Sequence, residues 1–106
     1  MSVGRGRLAP SMTANTYPFT GKTVFVTGGG TGIGRAVAEA FWANGANVAI
    51  SGGRREKLEE TTAGQPADRA LAVQADVADD AAVADLVREV VERFGGLDVV
   101  VNNAAA

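Results

Sequence analysis

The sequence predicts an α/β protein built on a doubly wound parallel sheet, and three observations lead there. From residue 21 onward, short β-branched runs alternate with helical apolar stripes in the order β-α-β-α-β-α-β, the signature of crossover units rather than hairpins. Five glycines fall within residues 28–34, at the first strand-to-helix junction, out of 14 in the 106-residue chain. Hydrophobic residues make up 46% and charged residues 21%, which excludes disorder over most of the chain.

Each element has its own local cause. Residues 22–27 (Lys-Thr-Val-Phe-Val-Thr) form a β-branched run that ends in glycines, a buried strand. Residues 32–44 place Ile33, Val37 and Phe41 at i, i+4 and i+8, with Ala36 and Ala40 beside them. That spacing predicts a helix with this stripe toward the core, ending near Asn44-Gly45. A second strand covers 47–51. Residues 54–62 are polar and predict a short exposed helix, with Glu56, Lys57, Glu59 and Glu60 on a solvated face. Gly64, Gln65 and Pro66 make a loop before a third strand at 69–75. Asp79 is placed to cap a helix over 80–94, which carries Val83, Leu86, Val87, Val90, Val91 and Phe94 on one face and stops at Gly95-Gly96. A fourth strand follows at 97–102. Phe41, Trp42 and Phe94 read as core or core-flanking aromatics. The crossovers are expected to be right-handed.

Two segments follow from this parse. Residues 1–20 carry Arg5, Arg7, Pro10 and Pro18 and no acidic residue, which predicts a disordered tail. Met12 is an alternative translation start. Residues 21–106 form an incomplete domain: a sheet truncated after the fourth strand leaves an open apolar edge. The chain is therefore expected to be the N-terminal part of a longer protein.

Composition excludes several chemistries. Ten basic and twelve acidic residues give a net charge of −2, against a nucleic-acid partner. Cys and His are both absent, which removes disulfides, thiolate chemistry, His-ligated metals and a Ser-His-Asp triad. No apolar run reaches the ~20 residues of a membrane span, and none has signal-peptide character. A cytoplasmic protein with no membrane partner and no metal site is the expectation.

The densest chemical signal is Thr27-Gly28-Gly29-Gly30-Thr31-Gly32-Ile33-Gly34. Gly28 permits a tight turn out of the strand, Gly32 lets backbone approach a pyrophosphate, and Gly34 lets the helix pack closely. The helix N-terminus offers free N–H groups and its positive dipole end to the phosphates, and Thr31 can add a hydroxyl. These features point to a Rossmann-type dinucleotide site.

The pattern resembles the short-chain dehydrogenase/reductase family, whose fingerprint is Thr-Gly-x-x-x-Gly-x-Gly. Phe19-Thr-Gly-Lys22 is similar to the family's lead-in to its first strand. Asp76-Val77 matches a pair that contacts the adenine, and Asn102-Asn103-Ala104 matches the start of its Asn-Asn-Ala-Gly motif. The resemblance covers residues 19–106. It implies that Gly28, Thr31, Gly32, Ile33 and Gly34 hold the pyrophosphate. It further implies that Asp76 and Val77 meet the adenine, and that Asn103 and Ala104 line the path to the nicotinamide, with Asn102 as a sheet brace. Asp76 could equally be a loop or cap carboxylate, and Asn102 and Asn103 turn residues.

The end of the second strand selects the cofactor. An acidic residue there hydrogen-bonds a ribose 2′-OH, whereas Arg accepts a 2′-phosphate. Counting from Gly45, the acidic position falls at Gly52, and the sequence continues Gly53-Arg54-Arg55. Arg54 can supply charge-assisted hydrogen bonds, so NADP is favoured over NAD, with Arg55 a solvated charge. Ala105 stands where the family usually has Gly. Asn-Asn-Ala-Ala together with the glycine motif also resembles the 2,4-dienoyl-CoA reductase branch, an alternative that implies enoyl reduction.

The family's catalytic Tyr-x-x-x-Lys is not present. Tyr17 precedes the first strand, the lysines are Lys22 and Lys57, and Ser2, Ser11 and Ser51 are misplaced for the family's serine. No catalytic residue is therefore assigned. The resemblance implies the cofactor-binding portion of an oxidoreductase acting on a small molecule, its parent a homo-oligomer that moves a hydride between NADP(H) and a carbonyl or alcohol. The alternatives are an inactive nucleotide-binding fragment, or a truncated product with no function of its own.

Overall fold

The computed structural model describes residues 18–75 and 80–103. Within them the chain alternates strand and helix: β1 (Thr23–Thr27), α1 (Gly32–Ala43), β2 (Asn47–Gly52), α2 (Arg55–Thr62), β3 (Ala70–Gln74), α3 (Asp80–Phe94) and β4 (Val99–Asn102). A single 3-10 turn, Ala67–Arg69, leads into β3. All pairings are parallel and the strand order is β3-β2-β1-β4. The first three strands step one way across the sheet, and the connection through α3 returns to the other side of β1.

The strands alternate between two apolar layers. Val24 and Val26 of β1, Val48 and Ile50 of β2, and Val99 and Val101 of β4 face one side, where Ala38, Trp42 and Leu58 cover them. Phe25, Ala49, Leu71 and Val73 face the other, against Leu86, Val90 and Phe94 of α3. With helices on both faces, all five residues of β1 are buried, as expected of a central parallel strand. Burying each large apolar side chain stabilises the fold by about 1.5–3 kcal/mol. Opposite Phe25, Val100 of β4 is 57% exposed on the α3 face.

Backbone hydrogen bonds explain where α1 stops. Ala46 N–H donates to the Phe41 carbonyl at 3.0 Å and Gly45 N–H to that of Trp42 at 3.1 Å, the paired bonds of a Schellman ending. Gly45 takes the left-handed φ of 93° that this ending needs. The Phe19 ring meets Phe41 edge-on at 5.0 Å, and Phe19 N–H donates to the Asn44 carbonyl. Trp42 Nε1 donates to the Arg69 carbonyl at 2.8 Å, so the buried indole keeps its polar atom satisfied.

The structure corrects the predicted helix faces. The inner line of α1 is Gly34, Ala38 and Trp42, not Ile33, Val37 and Phe41. Ile33 is 75% exposed, Ala36 and Ala40 are exposed, and Val37 and Phe41 are half-buried flanks. Both lines have four-residue spacing, and the sheet selects the one that starts with the smallest residue, because α1 rests directly on the backbone at Gly34. Leu58 and Thr61 of α2 are buried, so that helix is not simply exposed. On α3, Leu86 and Val90 are buried while Val91 is 41% exposed, lying off the line that meets Phe25. Arg69 belongs to the 3-10 turn rather than to β3. Asp79 and, of the tail expected over residues 1–20, residues 1–17 lie outside the described residues.

These faces predict opposite responses at two α1 positions. Ala38→Leu overpacks the layer against Val24 and Val26 and should lower stability by about 1–3 kcal/mol. Ile33→Ala should change it by less than about 0.5 kcal/mol. Urea-denaturation midpoints of the two variants measure both values; the reverse ranking would overturn the assignment of faces.

Candidate functional site

The reversal of strand order on either side of β1 opens a crevice at the carboxyl ends of the strands, where the segments after β1 and β4 diverge. The glycine turn between β1 and α1 forms its floor. Gly28 has φ 68° and Gly32 φ 60°. Thr31, the N-cap of α1, is extended and makes no side-chain capping bond, and no acidic residue lies in the first turn. The first N–H groups of α1 therefore have neither an intrahelical nor a capping acceptor.

Three neighbours fasten this turn. Gly29 N–H donates to the Ser51 carbonyl of β2 at 3.1 Å, and a Cβ on Gly29 would fall 2.5 Å from Ile50 Cγ2. A Cβ on Gly34 would fall on the Gly28 carbonyl oxygen and on Asn103 Nδ2, so the first turn of α1 sits directly against backbone. Asn103 Nδ2 donates to the Gly28 carbonyl at 3.3 Å and Asn103 N–H to Thr27 Oγ1 at 2.9 Å. The Thr27 hydroxyl lies 3.3 Å from both Asn102 Oδ1 and the Val101 carbonyl. On the α2 side, Thr61 Oγ1 lies 3.2 Å from the Gly30 carbonyl and 3.0 Å from that of Lys57.

Beside the turn lies a cleft of about 130 Å³, lined by Gly28, Gly30 and Thr31, by Gly52, Gly53 and Arg54 after β2, and by Lys57 with Leu58 behind it. Among the described residues no carboxylate lines it. The Arg54 guanidinium has no hydrogen-bond or ion-pair partner among the described residues. Gly32, with open space where a Cβ would stand, leaves the start of α1 accessible. An uncapped helix N-terminus, backbone open at Gly32 and a cation facing no carboxylate among the described residues fit a phosphate-bearing dinucleotide.

The predicted residues separate into three groups. Gly28, Thr31 and Arg54 converge on the cleft, with Gly32 and Ile33 exposed at the adjoining start of α1. Gly34 and Asn103 lie beneath the turn and hold it. Asp76, Val77, Ala104 and Ala105 lie outside the described residues. Asn102 ties the end of β4 to β1 through Thr27. Lys57 was assigned from sequence to a solvated face, yet it lines the cleft. The one available signal was its place before Leu58, the lone large apolar residue of α2. A larger groove of about 550 Å³, lined by Thr20, Trp42 and Arg69 among others, holds none of the predicted residues. There Arg69 is committed to the carbonyls of Ala46 and Trp42.

The comparisons with known proteins bear on the family and the fold. The family model for short chain dehydrogenases matches residues 22–106. The chain belongs to the short chain dehydrogenase family. It is 42% identical over 86 residues to the meso-2,3-butanediol dehydrogenase of Serratia marcescens, covering 81% of this chain and 34% of that one. It is 44% identical over 85 residues to the sorbitol dehydrogenase of Cereibacter sphaeroides, covering 80% of this chain and 33% of that one. Among solved structures, a short chain dehydrogenase from Burkholderia cenocepacia in complex with NADP superposes with a TM-score of 0.78 at 47% identity, over 83% of this chain and 37% of that one. The chain thus spans about a third of the length of these relatives. The four-stranded parallel sheet with its helices is accordingly Rossmann-like. Among the described residues no helix is long and apolar enough to cross a membrane.

The close contact under α1 yields a paired test. Gly34→Ala places its methyl on the Gly28 carbonyl and should destabilise by about 3 kcal/mol, the upper part of the overpacking range. Gly53→Ala, where a Cβ meets nothing within 4 Å, should stay within about 0.5 kcal/mol of the parent. Thermal or urea unfolding followed by circular dichroism measures both; equal stability of the two variants would remove Gly34 from its packing role.

Proposed function

We propose that this chain is the NADP(H)-binding portion of an oxidoreductase that moves a hydride between NADP(H) and a carbonyl or alcohol. The observation that carries the NADP preference is Arg54, a guanidinium with no partner among the described residues, in a cleft where β2 ends in two glycines and no described carboxylate stands. A carboxylate at Gly52 would repel a 2′-phosphate, and glycine there supplies none. In this reading Gly28, Thr31, Gly32, Ile33 and Gly34 hold the pyrophosphate, through backbone N–H groups of α1 and the Thr31 hydroxyl. Asp76 and Val77 take the adenine, and Asn103 and Ala104 face the nicotinamide side. The NADP complex of the Burkholderia relative supports the cofactor, and the alcohol-oxidising names of the Serratia and Cereibacter relatives support the substrate class. When bound, the cofactor supplies or accepts the hydride.

None of the 106 residues forms a Tyr-x-x-x-Lys pair. This chain is therefore proposed to bind the cofactor without turning over substrate.

Titration of nicotinamide fluorescence tests the reading. The chain should bind NADPH more tightly than NADH. A charge-assisted hydrogen bond is worth about 1.5–3 kcal/mol and 1.4 kcal/mol is tenfold in affinity. Arg54→Ala should therefore weaken NADPH at least tenfold and leave NADH within twofold. Binding of NADH as tight as NADPH by the parent chain would defeat the NADP assignment. Oxidation of NADPH with a simple carbonyl substrate would show that catalysis needs no residue beyond these.

A further inference from the structure

We propose that Lys57 is the second cation of the 2′-phosphate site, acting beside Arg54 from the first turn of α2; this rests on the NADP reading above. Three features of α2 place it there. Leu58 and Thr61 are buried and dock the helix against the glycine turn, with Thr61 Oγ1 at 3.2 Å from the Gly30 carbonyl. That docking brings Lys57 onto the turn: a Cβ on Gly30 would stand 3.2 Å from Lys57 Cβ. The side-chain stem of Lys57 thus starts at the cleft wall, and its ammonium is within a flexible four-carbon reach of the space beside Gly52 and Gly53.

The charges around the cleft are asymmetric. Arg54 and Lys57 line it, whereas Arg55 and Glu56 do not and are exposed. The carboxylate facing Lys57 is Glu60, at 3.8 Å, with both side chains substantially exposed. An exposed pair at that separation holds its partners weakly. A phosphate dianion between two cations in a partly walled cleft offers Lys57 a stronger partner. Lys57 therefore exchanges Glu60 for the 2′-phosphate when the cofactor enters. Specificity then comes from two adjacent elements, the end of β2 and the first turn of α2, and the second is fastened to the pyrophosphate loop by Thr61.

The test is fluorescence titration of the chain and its variants with NADPH and NADH, with 2′,5′-ADP as a competitor that carries the 2′-phosphate without the nicotinamide. Lys57→Met should weaken NADPH and 2′,5′-ADP roughly five- to tenfold and leave NADH within twofold. Lys57→Arg should keep the preference, and Arg54→Ala combined with Lys57→Met should abolish it. Far-UV circular dichroism confirms that each variant is folded, as expected for a half-exposed helix position. An unchanged NADPH-to-NADH ratio in Lys57→Met, with Arg54→Ala still reducing it, would overturn the role of Lys57 and leave the NADP reading standing. Absence of any preference in the parent chain, or failure to bind either nucleotide, would overturn both.

Discussion

Backbone resting on backbone at Gly34 and Gly28 is the contact on which the remaining architecture depends. With no Cβ at Gly34, the first turn of α1 descends onto the carbonyl at the exit of β1. The inner line of α1 then grows from Gly34 through Ala38 to Trp42, in keeping with a helix lying closest to the sheet at its N-terminus. That approach delivers the unbonded N–H groups of α1 to the strand ends, where an anion gains from both hydrogen bonds and dipole. A side chain at Gly34 would lift the helix and displace Asn103 together with the Gly28 carbonyl it holds.

The turn above this contact gains its rigidity from its neighbours. Glycines have the largest conformational entropy to lose on folding, and five in seven residues would otherwise make a mobile loop. Ser51, Asn103 and Thr61 each hydrogen-bond a different part of it, from β2, from the end of β4 and from α2. These residues lie 31 to 75 positions apart from their partners in two of the three cases. The phosphate cradle proposed for this turn needs fixed donors, and the fixing comes from elements distant in the chain.

The proposed selectivity for the ribose substituent rests on a small volume. Gly52 and Gly53 withdraw side chains from the end of β2, and Arg54 supplies a cation with no competing carboxylate among the described lining residues. Because α2 starts at Arg55 directly after this segment, its first turn shares the cleft. The same helix braces the glycine turn through Thr61, so the proposed recognition of the two phosphate groups shares one mechanical support.

By itself the sequence determined the fold class, the element order and the glycine turn between β1 and α1. Local periodicity and turn chemistry carry those properties: the β-branched runs, the four-residue helical spacings, and glycines at a strand-to-helix junction. The family membership was legible for the same reason, since its motifs are contiguous. Tertiary structure alone decided which of two equally spaced lines on α1 faces the sheet. Ile33, Val37 and Phe41 are the more hydrophobic set, but only the line beginning at Gly34 permits backbone contact, and that constraint belongs to the sheet. Tertiary structure also decided that Lys57 borders the cleft. A lysine among glutamates on a polar helix looks solvated until the burial of Leu58 and Thr61 fixes how that helix is rotated.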